Sequence, residues 1–348
     1  MESPALPVRI SIEANDRTFA SGLLLELVSA LRRTAVGELI AVTARNAGAI
    51  EADLDAWSRL TGHAIVSRAV DNGRTRWVMR HGSAASRSDD TRPLGERVWL
   101  YVNFDCNLRC AYCCVRSSPT AARRALGLAA VRRIAHEAPP LGTRAFFVTG
   151  GEPFLLPDID DILLTLAEAA PVTLLTNGML FSGSRLERLK RLPRDRVVLQ
   201  ISLDSPTADL HDQHRGRGAW QRAIEGIHTA RAEGFRVRLA ATVSTDADEA
   251  AFGAFLDRFA IALEDRVVRR VARRGFATDG IALGRSDLVP EITITADGIY
   301  WHPVGAGDED LLLTREIFPL TVAFDAARTA LAAERSHQER LASVFYCA

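Results

Sequence analysis

The chain has 348 residues, enough for one large domain with a small one beside it, and its 47% hydrophobic and 25% charged residues are the balance of a soluble globular protein. Lys+Arg and Asp+Glu both number 43, so the formal charge is zero, which argues against a general nucleic-acid or membrane-surface binder. No apolar run approaches a membrane span, and Met1-Glu2-Ser3-Pro4 lacks the basic and apolar regions of a signal peptide. Five cysteines, four of them crowded between 106 and 114, make no disulfide framework and fit a reducing cytoplasm.

The first segment, residues 1–82, reads as a small α/β domain. Val8–Ile12 alternates as a strand, and Ser21–Leu31 carries Leu24, Leu27, Val28 and Leu31 on one helical stripe. Glu38–Thr43 is a second strand and Ala52–Leu60 a second helix, with Leu54, Trp57 and Leu60 on its apolar side. Strands Ala64–Ala69 and Thr75–Arg80 flank Asp71-Asn72-Gly73, a strong hairpin signal. The order β-α-β-α-β-β, with Gly37-Glu-Leu-Ile-Ala-Val42 and Leu60-Thr-Gly-His63, resembles the TusA-like sulfur-carrier family. In that family the first helix opens with Cys-Pro-x-Pro, whose cysteine carries a persulfide. Here the matching stretch is Ala20-Ser-Gly-Leu23, and no cysteine precedes Cys106, so this domain has no thiolate with which to relay sulfur. A docking platform and a structural appendage remain open for it.

Residues 83–96, rich in Ser, Arg and Asp, read as a linker. Beyond it, short apolar strands alternate with helices. The strands are Val98–Asn103, Ala145–Thr149, Val172–Thr176, Val197–Ser202 and Arg236–Val243, with a sixth at Val267–Ala272. The helices are Leu126–Ala138, Ile159–Ala170, Arg185–Arg191, Ala219–Glu233 and Glu249–Ile261. Strict alternation of this kind implies parallel strands with right-handed crossovers, and chemistry collected in loops at the strands' C-terminal ends.

The loop after the first of these strands holds Cys106, Cys110 and Cys113, spaced C-x3-C-x2-C with Tyr112 before the last cysteine. Three thiolates can ligate three irons of a [4Fe–4S] cluster and leave the fourth open, where iron–sulfur clusters normally have four cysteines. Zinc would need a fourth ligand, and no histidine lies nearby in sequence; a redox pair would leave Cys106 without a role. The spacing resembles the signature of the radical S-adenosylmethionine (radical SAM) superfamily. That resemblance implies a partial (β/α)6 barrel over residues 97–289. It also implies one [4Fe–4S] cluster on Cys106, Cys110 and Cys113, with S-adenosylmethionine bound at the open iron. An external electron donor of flavodoxin or ferredoxin type would reduce the cluster. Reductive cleavage of S-adenosylmethionine then gives methionine and a 5′-deoxyadenosyl radical that abstracts hydrogen from a substrate.

Further motifs carry the resemblance. Thr149-Gly-Gly-Glu-Pro153 matches the superfamily's GGEP stretch, which contacts the methionine amino group and carries Gly150, Gly151 and Glu152 over as cofactor-binding residues, with Tyr112 beside them. Ser202 and Asp204, at the end of the fourth strand, match the position that holds the cofactor's ribose or carboxylate, or else cap the next helix. Asn177, in Thr176-Asn-Gly178, has the same standing, and Gly178 fits a turn. His211-Asp-Gln-His-Arg215-Gly-Arg217-Gly resembles a segment of the peptide-modifying branch, where an arginine forks onto a carboxylate; Arg215 is preferred to Arg217, and the histidines read as solvated. Residues Ile294–Trp301 echo the hairpin that opens the C-terminal extension of the SPASM and Twitch subgroups. Only Cys347 and the left-over Cys114 are available there, too few for an auxiliary cluster, so residues 290–348 are expected to be a Twitch-like remnant without one, and Cys347 an incidental thiol. The five arginines of Arg266–Arg274 read as a solvated barrel edge, or as a place for an anionic substrate group. A radical SAM enzyme acting on a small peptide is the resulting expectation. Radical chemistry on a small metabolite and a non-catalytic iron–sulfur scaffold are the alternatives.

Overall fold

A computed structural model describes residues 7–15, 17–18, 22–35, 37–45, 48, 50–61, 63–82, 93–244 and 246–344. Residues 20–21 of the Ala20–Leu23 stretch, 83–92 of the expected linker, and Cys347 lie outside them. The chain divides into two compact units, Met1–Thr91 and Arg92–Ala348.

The first unit runs β1 (Val8–Asn15), α1 (Leu23–Arg32), β2 (Leu39–Ala44), α2 (Glu51–Thr61), β3 (Ala64–Asp71) and β4 (Arg74–Arg80), the order read from the sequence. Its sheet is ordered β1-β2-β4-β3, with β1 parallel to β2 and β4 antiparallel to both neighbours. Asn72 and Gly73 both have positive φ, 49° and 72°, as the tight turn between β3 and β4 requires. Ile12, Leu23, Leu27, Ile40, Leu54 and Trp77 form its core.

In the second unit, β5 (Arg97–Tyr101), α3 (Leu128–Glu137), β6 (Ala145–Thr149), α4 (Ile159–Ala169), β7 (Val172–Thr176), α5 (Gly183–Arg191) and β8 (Val197–Ser202) follow in strict alternation. Two helices, α6 (Ala208–Arg215) and α7 (Ala219–Ala232), precede β9 (Val237–Val243), and α8 (Asp246–Arg258) leads to β10 (Arg266–Arg270). All six strands are parallel, in the order β10-β9-β8-β7-β6-β5. This is the partial (β/α)6 barrel. The outer edge of β5 is taken by β11 (Thr293–Thr295), which turns back through β12 (Gly298–Tyr300) to β13 (Leu312–Thr314). The hairpin of the expected extension is therefore continuous with the barrel sheet. A long helix, α9 (Leu320–Val344), ends the chain's described part.

The strands show which face is which. Phe146, Val148, Val172 and Leu174 are buried among α3, α4 and their neighbours, and each such side chain contributes about 1.5–3 kcal/mol. The alternate positions, Phe147, Thr149, Thr173 and Leu175, are only half-buried and line the inner face. A closed eight-stranded barrel fills its interior with packed layers; here solvent reaches the interior, leaving room for a ligand.

Candidate active site at the mouth of the barrel

The loops that matter all leave the C-terminal ends of parallel strands: 102–118 after β5, 150–155 after β6, 177–180 after β7 and 203–207 after β8. The sequence brings them together through backbone contacts only glycine permits. A Cβ on Gly150 would lie 2.1 Å from Asn103 Oδ1, and one on Gly151 would lie 2.1 Å from the Asp105 carbonyl oxygen. With no Cβ there, the Gly151 and Glu152 amides donate to the Asn103 and Asp105 carbonyls, both at 3.0 Å. The two glycines therefore seat the GGEP loop on the start of the cysteine loop.

Glu152 is fully buried, and its carboxylate is an internal tie. It accepts from the Phe154 amide at 3.0 Å, the Thr176 hydroxyl at 2.8 Å and the Asn177 amide at 2.9 Å. Burial pushes its carboxyl up, opposed by those donors. Asn177 Nδ2 donates in turn to Asn107 Oδ1 at 2.8 Å, linking the β7 loop to the cysteine loop.

On the other side of the mouth, Asp204 and Arg215, read separately from the sequence as cofactor contacts, are each other's partners. The Asp204 carboxylate accepts from Arg215 Nε and Nη2, from the Tyr112 hydroxyl, and from the Thr242 amide at 3.1 Å. Burial would raise this carboxyl, but Arg215 and then Tyr112 hold it below the ordinary carboxylate range. The Arg215 guanidinium also stands 5.6 Å over the Tyr112 ring, and its Nη1 makes no hydrogen bond among the described residues. Arg217 is exposed, while Ser202 is half-buried on the inner face.

The expectation of solvated histidines fails for His211, which is 1% exposed. Its Nδ1 accepts the Asp204 amide at 3.2 Å, and burial, then the charge of Arg215, push its pKa down to about 4, so it stays neutral. His214 packs its ring 5.5 Å from Tyr112, and its carbonyl accepts the Ala111 amide at 2.9 Å. Helix α6, which carries both, escaped the sequence reading. So did Asn103, whose Nδ2 donates to the Glu152 carbonyl at 3.0 Å; its only signal was an amide at a strand end beside a thiol loop.

Cys106 is buried, and Cys110, Cys113 and Cys114 are half-buried; none of the four is in a disulfide. Burial pushes the Cys106 thiol up to about 12, and it pushes Cys110 up against the pull of Arg215. Metal loading must therefore displace protons from these thiols. Two backbone amides already point at sulfur: Leu108 at Cys106 Sγ, 3.4 Å, and Ser117 at Cys113 Sγ, 3.3 Å. Such donors stabilise thiolate and tune cluster potentials. Among the described residues, no three His, Cys, Asp or Glu side chains converge as on a single metal ion, whereas thiolates on separate irons of a cluster stand apart. The donor set fits a cluster with an open iron. Cys114, pushed to about 11 by burial and the neighbouring Cys113, faces the Gly305 amide instead.

The five arginines after α8 are not a solvated edge throughout. Arg274 is held by Asp308 at 3.0 Å and Asp310 at 2.7 Å, and Arg266 pairs with Asp257 at 2.7 Å.

An open parallel barrel with a three-cysteine loop over its mouth is the architecture of a radical SAM domain, and residues 100–249 match the profile of the Radical SAM superfamily. That segment belongs to the superfamily, whose cofactors are a [4Fe–4S] cluster and S-adenosylmethionine. The chain is 32% identical over 177 residues to the antilisterial bacteriocin subtilosin biosynthesis protein AlbA of Bacillus subtilis, covering 48% of this chain and 38% of that protein. It is 27% identical over 238 residues to the GTP 3′,8-cyclase of Edwardsiella ictaluri, covering 62% of this chain and 72% of that enzyme. Across the first three curated relatives the match spans only 38–43% of their length. The solved structure "Native anSMEcpe with bound AdoMet" superposes with a TM-score of 0.52 over 68% of this chain and 83% of that one, at 14% identity, a likeness of fold. No described helix is long and apolar enough to cross a membrane.

Proposed function

We propose that this protein is a radical SAM enzyme that modifies a peptide. Cys106, Cys110 and Cys113 hold one [4Fe–4S] cluster, and S-adenosylmethionine binds beside it between the GGEP loop and the end of β8. When bound, the cluster supplies the electron that breaks a carbon–sulfur bond of S-adenosylmethionine. The observation that carries the reading is the double anchorage of the cysteine loop at the mouth of an open barrel: Gly150 and Gly151 on one side, Tyr112 on Asp204 and Arg215 on the other. The chain's own residues seat the loop, keep Asp204 ionised, leave Nη1 of Arg215 for an anionic group, and present the inner face to substrate. The similarity to AlbA favours a peptide. A second reading, radical chemistry on a small metabolite, has the similarity to a GTP 3′,8-cyclase in its favour. Reduction would come from an external flavodoxin- or ferredoxin-type donor.

Metal content tests the ligand assignment. Anaerobically reconstituted protein should hold about four irons and four sulfides per chain, and the variant with Cys106, Cys110 and Cys113 all replaced by alanine should hold almost none. Cys114→Ala and Cys347→Ala should keep the full complement. Iron retained by the triple variant, or lost in Cys114→Ala, would refute the assignment.

A further inference from the structure

The inner face of the barrel carries two arginines, Arg238 and Arg269, that form no ion pair among the described residues; the nearest carboxylate charges, Asp265 and Glu291, are engaged by other groups. Arg238 in β9 and Arg269 in β10 each stand next in sequence to a residue, Leu239 and Val268, that packs against the helix-side core. Alternation along a strand therefore turns both guanidinium groups inward. Arg97, next to the core residue Val98, shares that face. The three groups feel one another's charge, Arg238 that of Arg97 and Arg269 that of Arg238. His302, after β12, joins them: burial, then the charges of Arg269, Arg274 and Arg97, push its pKa down to about 4.

Arg97 is satisfied, because Glu291 accepts from it and from Trp99 Nε1. Arg274 has two carboxylates. Arg238 and Arg269 have none, and neither makes a hydrogen bond or ion pair among the described residues. Arg238 Nε is enclosed without any partner. Asp265, whose charge reaches Arg238, is already bound by Arg236 Nη2 at 2.8 Å. Taking a cation out of bulk water with no counterion is costly, and buried charges are ordinarily paired. Arg269 is exposed to solvent on the inner face of β10. It lies within electrostatic reach of Tyr101 and Cys114, just beneath the cysteine loop.

We propose that Arg238 and Arg269 bind an anionic group of the substrate, a carboxylate or a phosphate, inside the barrel beneath the cysteine loop. The inference rests on the reading of that loop as the reaction centre. A guanidinium fork takes either oxyanion bidentately, and two such forks on adjacent strands fix one end of a molecule whose other end reaches the mouth.

The test is calorimetric titration of the reconstituted full chain with two probes, inorganic pyrophosphate and succinate, at fixed ionic strength. The wild-type protein should bind pyrophosphate if the group is a phosphate, and succinate if it is a carboxylate. Arg238→Gln and Arg269→Gln should each weaken that binding about tenfold or more. Arg269→Lys should weaken it less, since it keeps the charge and loses only the fork. No binding of either probe by wild type, or equal affinity in wild type and both glutamine variants, overturns the proposal. If a glutamine variant does not fold, Arg269→Lys decides: a lowered affinity supports the site and an unchanged one overturns it. Cleavage of S-adenosylmethionine by the wild-type protein is scored separately, so a failure of the cluster reading is told apart from a failure of the anion site.

Discussion

Arg215→Ala should destabilise the C-terminal unit by about 3–5 kcal/mol, the usual cost of breaking a buried ion pair from one side. The Asp204 side chain is 1% exposed and that of Arg215 10%. Removing the guanidinium strips two donors from a carboxylate that cannot reach water, leaving only Tyr112 and the Thr242 amide. The pH dependence follows with a definite sign. In the wild-type protein the Asp204 carboxyl is depressed, so its contribution is present at neutral pH and is lost as pH falls through that depressed value. Without Arg215 the burial that would raise the carboxyl loses its main opponent, and only weaker donors such as Tyr112 still oppose it. The deficit is then largest near pH 7 and shrinks as acid protonates Asp204. Denaturant unfolding at several pH values reads both effects, and Arg215→Ala combined with Asp204→Asn should recover much of the loss. A deficit under about 1 kcal/mol that does not change with pH would mean the pair is worth no more than a surface contact. Because Tyr112 loses the guanidinium over its ring, 5.6 Å away, and keeps only its bond to Asp204, the iron content of Arg215→Ala should also fall.

Gly151→Ala should have the second large effect. A Cβ at this position would meet the Asp105 carbonyl oxygen at 2.1 Å, its carbon at 2.5 Å and the Phe104 oxygen at 2.8 Å. All three are backbone atoms, so no rotamer change relieves the clash. The GGEP loop must lift off residues 104–105, immediately before Cys106. Overpacking of this kind costs about 1–3 kcal/mol or more, and here the strain falls on the ligand loop. The variant should retain its far-ultraviolet dichroism while losing most of its reconstituted iron. Gly253→Ala in α8 is the control: nothing lies within 4 Å of its added Cβ. That change should leave iron content intact and stabilise the helix by about 0.5–1 kcal/mol. Equal iron content in the two variants would remove the reason given for the glycine pair.

What the sequence made legible was chemistry that few residue types can perform. Three closely spaced thiols and a Gly-Gly-Glu-Pro turn have few alternative uses, and the strand periodicity that placed them at strand ends survives in β5 to β10. What it hid depends on tertiary pairing. Asp204 and Arg215 each looked like a contact for a ligand, and nothing local says that a residue on α6 folds back onto the loop after β8. His211 looked solvated because polar neighbours surround it in sequence, but its amide partner comes from Asp204. Helix α9 carries buried Leu320, Ala323, Phe324 and Ala327 at helical spacing, a signal that the small alanine side chains diluted. In Arg266–Arg274 a run of like charge resolves, once strand register is known, into paired groups and a cation facing the lumen.

The most direct test of the central claim is the amount of 5′-deoxyadenosine formed from S-adenosylmethionine by the anaerobically reconstituted protein with a strong reductant, beside a Cys110→Ala control. Formation by the wild-type protein that disappears in the control is the expected result. No 5′-deoxyadenosine from protein that holds its full iron and sulfide would contradict the account and leave an iron–sulfur scaffold.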